Sequence, residues 1–344
     1  MNKYSDETFG IVDLKRRFRK LKQVLVRKSL KIMNSGLHLS SKIFVKSNAE
    51  DYPLPYPPIF IIGAPRSGST LLCQVLTDYY DIGYLSNLHC KFYGAPHLVE
   101  RLFHPSMKDY HKQKYTSYHG QTQGWFAPSE CGEFWYQFFR RNPPYVTLSD
   151  VDERKMISMK NSVGKLAGAA QRPILFKNLY CSLRLKPIGK YLPESVFIVV
   201  TRKVIDNAHS ILEGRKKALG VYDEWWSVEP PEVEKFKLLP PHEQAVEQIH
   251  SIYDLIAKDE NEIGKDKFLW ISYESLCSNV RSTIEEISEF LSRNNVDLEQ
   301  RIDTNGLPSS FEKREEVRID SALYDELIKY VESRQLKSKA RLQG

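Results

Sequence analysis

An arginine, three hydroxyls and two glycines fall within eight residues of this chain, in the order Gly63-Ala64-Pro65-Arg66-Ser67-Gly68-Ser69-Thr70. The apolar run Ile59-Phe60-Ile61-Ile62 enters this loop, and a helical pattern leaves it at Thr70-Leu71-Leu72. Strand, glycine-bounded loop and helix make an anion site, because backbone N–H groups and a helix N-terminus converge on one spot. Nucleotide hydrolases place a lysine after the second glycine, where it meets the β- and γ-phosphates. Here that position is Ser69, and the nearest cation is Arg66, inside the loop. The loop suits a phosphate but lacks the lysine of an ATP or GTP hydrolase.

A second anion grip lies further along. Arg202 directly follows the apolar strand Ser195-Val196-Phe197-Ile198-Val199-Val200-Thr201, at the carboxyl edge where open α/β sheets bind ligands. Ser210 stands about two helical turns later, on the next predicted helix. A guanidinium fork and a hydroxyl can share one phosphate. Together with the lysine-free loop, this implies a ligand with two separated phosphate groups.

These segments resemble the sulfotransferases that use 3′-phosphoadenosine 5′-phosphosulfate (PAPS). Pro65-Arg66-Ser67-Gly68-Ser69-Thr70 is similar to the family's 5′-phosphosulfate loop, and Arg202, Asn207 and Ser210 to its 3′-phosphate motif. Leu175-Phe176-Lys177-Asn178 and Ser272-Tyr273-Glu274-Ser275-Leu276 match two further family segments, and all four keep their order from about Pro57 to Leu291. The resemblance implies that Arg66, with the backbone of Ser67, Gly68, Ser69 and Thr70, holds the phosphosulfate. Arg202 and Ser210 would hold the 3′-phosphate, and Tyr273 would neighbour the adenine. Lys177 would stabilise charge on the departing adenosine 3′,5′-bisphosphate. No metal is implied.

Sulfuryl transfer to a hydroxyl also needs a base. The cytosolic small-molecule branch carries a histidine two residues after the strand-end lysine, but here that position is Leu179. Three candidates remain. Glu130 and Glu133, in Pro128-Ser129-Glu130-Cys131-Gly132-Glu133-Phe134-Trp135, resemble an acidic segment of carbohydrate- and protein-type relatives, and His89 follows the second predicted strand. We rank the two glutamates above the histidine. The Tyr222–Pro231 segment carries Trp225-Trp226 beside acids and prolines, and could stack on a sugar or close as a lid. Similar segments in bacterial-type members point to a carbohydrate or glycolipid acceptor.

Positioning these residues takes an alternating set of elements. Apolar runs at 59–62, 82–85, 173–177, 195–201 and 268–273 read as strands. Helical patterns at 70–80, 156–170, 183–191, 205–219, 243–258, 280–291 and 321–333 separate or follow them. That alternation predicts an α/β fold with a central parallel sheet flanked by helices. The aromatic stretch 86–150 reads as an acceptor-binding insertion, and 220–241 as a lid-like loop. Asp51 to Pro58 is a proline-rich linker that opens the catalytic domain, 51–344.

Residues 1–50 form a basic, mainly helical extension, with Leu14, Phe18, Leu21 and Leu25 at helical spacing among six cations. That stripe could rest on an anionic membrane, or simply pack on the domain with its charges in water. The net charge of +7 suits an anionic ligand, although this cluster supplies part of it. Outside it the cations form no stripe with aromatics, which argues against a nucleic-acid partner. Five scattered cysteines without a C-x-x-C pair suggest reduced thiols in a cytoplasmic setting. Two other function classes stay open at this point. One is a P-loop kinase or NTPase, disfavoured by Ser69 and by Arg202 where a metal-binding Asp is expected. The other is a non-catalytic nucleotide-binding protein, kept open by Leu179.

Overall fold

The computed structural model describes residues 28–37, 53–108, 115, 122–301, 306–312 and 316–343. A helix, α1, spans 28–37. Strand β1 (Ile59–Gly63) leads into α2 (Ser69–Tyr79), and β2 (Gly83–Tyr84) into α3 (Asn87–Lys91) and α4 (Pro96–Lys108). The single turn α5 (Gly132–Trp135) precedes α6 (Glu153–Ala170), β3 (Ile174–Lys177) and α7 (Leu185–Tyr191). Next come β4 (Val196–Thr201), α8 (Val204–Leu219), the short α9 (Val233–Phe236) and α10 (Pro241–Ile263). The order closes with β5 (Phe268–Ser272), α11 (Tyr273–Ser278), α12 (Val280–Arg293) and α13 (Ser321–Gln343).

The five strands form one sheet in the order β2-β3-β1-β4-β5, and every pairing is parallel. Successive strand residues point to opposite faces, so a run that is apolar at every position must be covered on both sides. Strand β1 meets that demand. Phe60 and Ile62 pack with Phe176, Phe197 and Val199 against α6, α7, α8 and α10. Ile59 and Ile61 join Leu175, Ile198 and Val200 on the other face, under α2 and α12. The expected α/β fold is therefore present. Its central strands β1 and β4 pair from Ile59↔Val196 to Gly63↔Val200, which brings the phosphate loop and Arg202 out at the same sheet edge.

Several boundaries differ from the sequence expectation, each for a local reason. The strand expected at 82–85 shortens to Gly83–Tyr84, because Ser86 caps α3 and ends it. The helix expected from Leu183 starts at Leu185, after a 3-10 turn at Leu179–Leu183 capped by Asn178. Tyr273 does not finish β5 but opens α11, since the Ser272 hydroxyl accepts the Ser275 N–H at 3.0 Å. Helix α10 starts early, at Pro241, whose ring suits a first helical position, and ends at Gly264 with φ 125°.

Of the basic extension, 28–37 is a helix, whereas the stripe at Leu14, Phe18, Leu21 and Leu25 lies outside the described residues. Helix α1 is fastened by Asn34. Its amide donates to Lys91 O at 2.9 Å and accepts from Gly94 N–H at 2.8 Å. No helix among the described residues is long and apolar enough to cross a membrane.

Candidate active site

The carboxyl ends of β1, β3, β4 and β5 open into a cavity of about 730 Å³. Its floor is the phosphate loop. Gly68 caps α2 with φ 99° and ψ 4°, a left-handed conformation open to glycine, and offers no side-chain cap. The first N–H groups of α2 therefore face the cavity, which Gly68, Ser69, Thr70 and Leu71 line. A second reason fixes glycine here. A Cβ at Gly68 would meet Tyr273 Cδ2 at 2.4 Å.

Arg66 also adopts a left-handed backbone, φ 65°, which turns its side chain toward α8. There Arg66 Nε donates to Ser210 Oγ at 3.1 Å. Arg202 stacks on the Tyr273 ring, 4.6 Å from its centroid, and its Nη1 donates to Arg66 O at 3.3 Å. Asn207 adds a tether, donating to Pro65 O at 2.6 Å. Arg66, Arg202, Ser210 and Tyr273, predicted from three separated motifs, thus form one connected wall. Arg202 Nε is buried there without a hydrogen-bond partner, which suits an anion. Ser67 behaves differently. It is fully buried behind the loop and does not line the cavity.

Helix α8 contributes two residues that sequence reasoning missed. Glu213, one helical turn after Ser210, pairs with Lys217 and lies 3.6 Å from Arg318. Burial alone would raise its pKa, but Lys217, Arg318 and Arg66 together hold it below the ordinary carboxylate value. His209 is pushed below its ordinary value by burial first and then by Arg202 and Arg318, against Glu213. Its Nε2 accepts the Arg318 N–H at 3.0 Å. The i, i+3 spacing of Ser210 and Glu213 was a usable signal for the first. Nothing local in the sequence marks Arg318, which arrives from the segment before α13.

On the strand beside β1, Lys177 closes β3 in register with Ile61, with a side chain only 5 % exposed, and its ammonium pairs with Glu130. The Glu130 backbone is pinned as well, because Asn178 Nδ2 donates to Glu130 O at 2.9 Å. Glu133 also lines the cavity but pairs with Arg141 at its more exposed rim. His89 is fully buried and does not line the cavity. Its Nδ1 lies 2.9 Å from Ser86 Oγ, and its Nε2 lies 3.5 Å from Glu100. Leu179 lines the cavity beside Lys177, so no histidine occupies that point. Trp226 and Ser227 form part of the wall, with Trp226 packed so tightly on α8 that a Cβ at Gly214 would meet its ring at 2.7 Å. Among the described residues, no group of His, Cys, Asp and Glu is arranged to hold a metal ion.

A strand-end lysine paired with a carboxylate, on the strand beside the one that enters a lysine-free phosphate loop, is an arrangement for moving an anionic group between two bound partners. Residues 57–297 match the model of the sulfotransferase family. The chain belongs to that family. Sulfuryl transfer to a hydroxyl-bearing acceptor, rather than ATP or GTP hydrolysis, is accordingly its chemistry. Sulfotransferase STF9 from Mycobacterium avium is similar in structure, with 14% identity, a TM-score of 0.51, and coverage of 78% of this chain and 73% of that one. That likeness extends to the fold alone. STF1 from Mycobacterium tuberculosis H37Rv gives 11% identity and a TM-score of 0.48, covering 76% of this chain and 73% of that one. A sulfotransferase from Alicyclobacillus acidocaldarius gives 13% and 0.39, covering 80% of this chain and 90% of that one. Among curated proteins, none matches in a sequence search.

Proposed function

We propose that the sulfotransferase takes the sulfuryl group of PAPS and transfers it to a hydroxyl of a carbohydrate or glycolipid, with Glu130 as the base. The observation that carries the donor assignment is the junction of Arg66, Arg202 and Ser210 beside the uncapped N-terminus of α2. A donor of this kind carries its activated sulfuryl group at the end of the 5′-phosphate and a second phosphate on the ribose 3′-oxygen, and each phosphate needs its own donors. The α2 N–H groups, Ser69 and Thr70 face one anion. Arg202, with its unpaired Nε, and Ser210, whose O–H can still donate, suit the other.

Lys177 and Glu130 divide the remaining work. With its side chain almost fully buried, Lys177 exerts its charge through little water and favours electron density on a leaving oxygen nearby. Glu130 lies within reach of an acceptor hydroxyl in the cavity, and its carboxylate can take the hydroxyl proton as the new bond forms. Its partnership with Lys177 and the tether from Asn178 aim the carboxylate at the transfer point. Glu133, tied to Arg141, suits an acceptor-side contact instead, and the burial of His89 on α3 favours a supporting role.

The acceptor assignment rests on the cavity lining outside the loop. Trp226 offers an aromatic face, while Asn87, Thr122, Ser129 and Glu133 offer polar groups suited to a polyol. Exposed Ile32 and Met33 with Lys28 and Lys31 on α1 support peripheral contact with an anionic membrane, where a glycolipid would be met. The cytoplasmic setting expected from the cysteines belongs to the same reading. Mass-detected sulfation of a panel of glycans and glycolipids with PAPS tests it. We expect a sulfated product that disappears in Glu130→Gln; transfer confined to phenolic or amine acceptors would overturn the carbohydrate assignment.

A further inference from the structure

Helix α1 is one edge of a wider face. Six of the eleven large apolar side chains that the described residues leave exposed come from three stretches. They are Ile32 and Met33 on α1, Leu98, Leu102 and Phe103 on α4, and Trp125 in the turn after Gly124. Ile32 and Leu102 are each 75% exposed and Trp125 56%, so these side chains stand in water rather than filling a core.

The three stretches are joined. Asn34 fastens α1 to Lys91 and Gly94, so closely that a Cβ at Gly94 would meet Asn34 O at 2.1 Å. Lys91 Nζ lies 4.0 Å from the centre of the Trp125 ring, and Leu88 N–H donates to Trp125 O at 2.8 Å. Phe103 packs on Phe126, the residue after Trp125, with ring centroids 6.2 Å apart. Leu98 and Leu102 stand one turn apart on a single face of α4, while Val99 and Glu100 turn inward. The charge is one-sided. Residues 28–37, 87–108 and 122–127 carry exposed Lys28, Lys31, Lys91 and Arg101, and their only acid is Glu100. That carboxylate is 1% exposed and faces His89, His104 and Arg172.

We propose that α1, α4 and the Trp125 turn form one docking face for an anionic lipid bilayer, which holds the acceptor wall of the cavity at the membrane surface. Apolar and aromatic side chains enter the headgroup boundary while neighbouring cations meet lipid phosphates. Stretches whose exposed charges are all positive match a surface of one sign, whereas a soluble protein partner presents both. The place of the face gives it a role. Asn87 and Thr122 line the cavity, and the Asn87 amide donates to Thr122 O at 2.9 Å and Gly124 O at 2.8 Å. Trp125 therefore follows directly on a turn bound to the acceptor wall. An acceptor whose sugar enters the cavity can keep its lipid tail in the bilayer.

The activity half of this inference rests on the glycolipid reading; bilayer binding does not. The full chain is centrifuged with vesicles of phosphatidylcholine alone, and of phosphatidylcholine mixed equally with phosphatidylglycerol, beside the double variant Leu102→Glu, Trp125→Glu. Both side chains are exposed and neither lines the cavity, so denaturant melts of the two proteins should superimpose. We expect the natural chain to bind the mixed vesicles at least about tenfold more tightly than the neutral ones, less so as salt rises, and the variant to lose roughly tenfold or more. Turnover of the variant on a short soluble glycan should stay within about twofold, while turnover on a glycolipid in mixed vesicles falls with binding. Equal affinity for the two vesicles overturns the inference, as does a variant that binds as well as the natural chain. A dimer in solution that the substitutions dissociate, with vesicle binding unchanged, would assign the face to a second copy instead. An error in the acceptor assignment would look different: the vesicles would bind in the expected order while neither glycan nor glycolipid was sulfated.

Discussion

The two ends of the cavity are built in opposite ways. At the donor end, Gly63 to Thr70 is a single contiguous loop between β1 and α2, and Arg202 and Ser210 come from the next strand and helix in register with it. Its geometry is set by backbone: a left-handed Gly68, a left-handed Arg66 and an uncapped helix start. The acceptor end draws on α3, the turn at Ser129–Glu133 and Trp226, which meet only through tertiary contacts. It is held by side chains, chiefly Lys177 to Glu130 and Asn178 to Glu130. A fixed backbone cradle fits a donor common to a family, while a side-chain wall can change its acceptor without disturbing the sheet.

Breaking that contrast should have its largest effect where the two ends meet. Glu130→Gln keeps the shape but removes the base, so kcat should fall roughly 10²–10⁴-fold while adenosine 3′,5′-bisphosphate affinity changes little. Steady-state kinetics beside calorimetry would separate the two. An equal loss in both would mean that Glu130 belongs to the donor end.

The same contrast explains what the sequence could reveal. The sheet strands, the loop, Lys177, Arg202 and Ser210 were legible because each lies in a local pattern, either an apolar run or a motif at a strand end. Two limits were physical. The two glutamates ranked above His89 but could not be separated from each other on sequence, because nothing local tells that Lys177 reaches Glu130, that Arg141 takes Glu133, or that Glu100 faces His89 in the interior. Arg318 and Cys90 join the cavity across long sequence separations, and neither carries a periodic or motif signal. Tyr273 was found as a site residue but read as strand, since the Ser272 cap that turns the chain into α11 also follows an apolar run.

The donor cradle can be tested through its backbone. Gly68→Ala adds a Cβ at φ 99° that meets the Tyr273 ring at 2.4 Å. We expect a stability loss of about 1–3 kcal/mol in denaturant melts, with weaker bisphosphate binding. Retention of both would show that the loop is not the rigid part.

The anchoring of the edge strand β2 can be tested through charge. Asp81 precedes β2 and pairs with Arg172 and Arg301. Burial would raise its pKa, but the two arginines outweigh it and hold the carboxyl at about 2. A folded pKa below the unfolded value means the stabilisation is present above pH 3.8 and is lost as pH falls toward 2. Asp81→Asn should therefore cost about 1–2 kcal/mol at neutral pH, after solvent screening, and flatten the loss of stability in that acid window. A variant with an unaltered acid limb would remove Asp81 as the clamp.

A smaller effect is expected from Trp226→Ala. Losing one aromatic face should raise the acceptor KM by up to about tenfold and leave the donor KM unchanged. A shift in the donor KM instead would move Trp226 across the divide.

The central claim, that the donor end selects a ligand with two separated phosphates, is tested most directly by calorimetry of adenosine 3′,5′-bisphosphate and ADP. Both ligands should be titrated into the natural chain and into Arg202→Ala. We predict tighter binding of the 3′,5′-bisphosphate than of ADP, and loss of that preference in the variant, with affinity falling by roughly tenfold to a hundredfold. Equal binding of the two nucleotides by the natural chain, or an undiminished preference in Arg202→Ala, would contradict it.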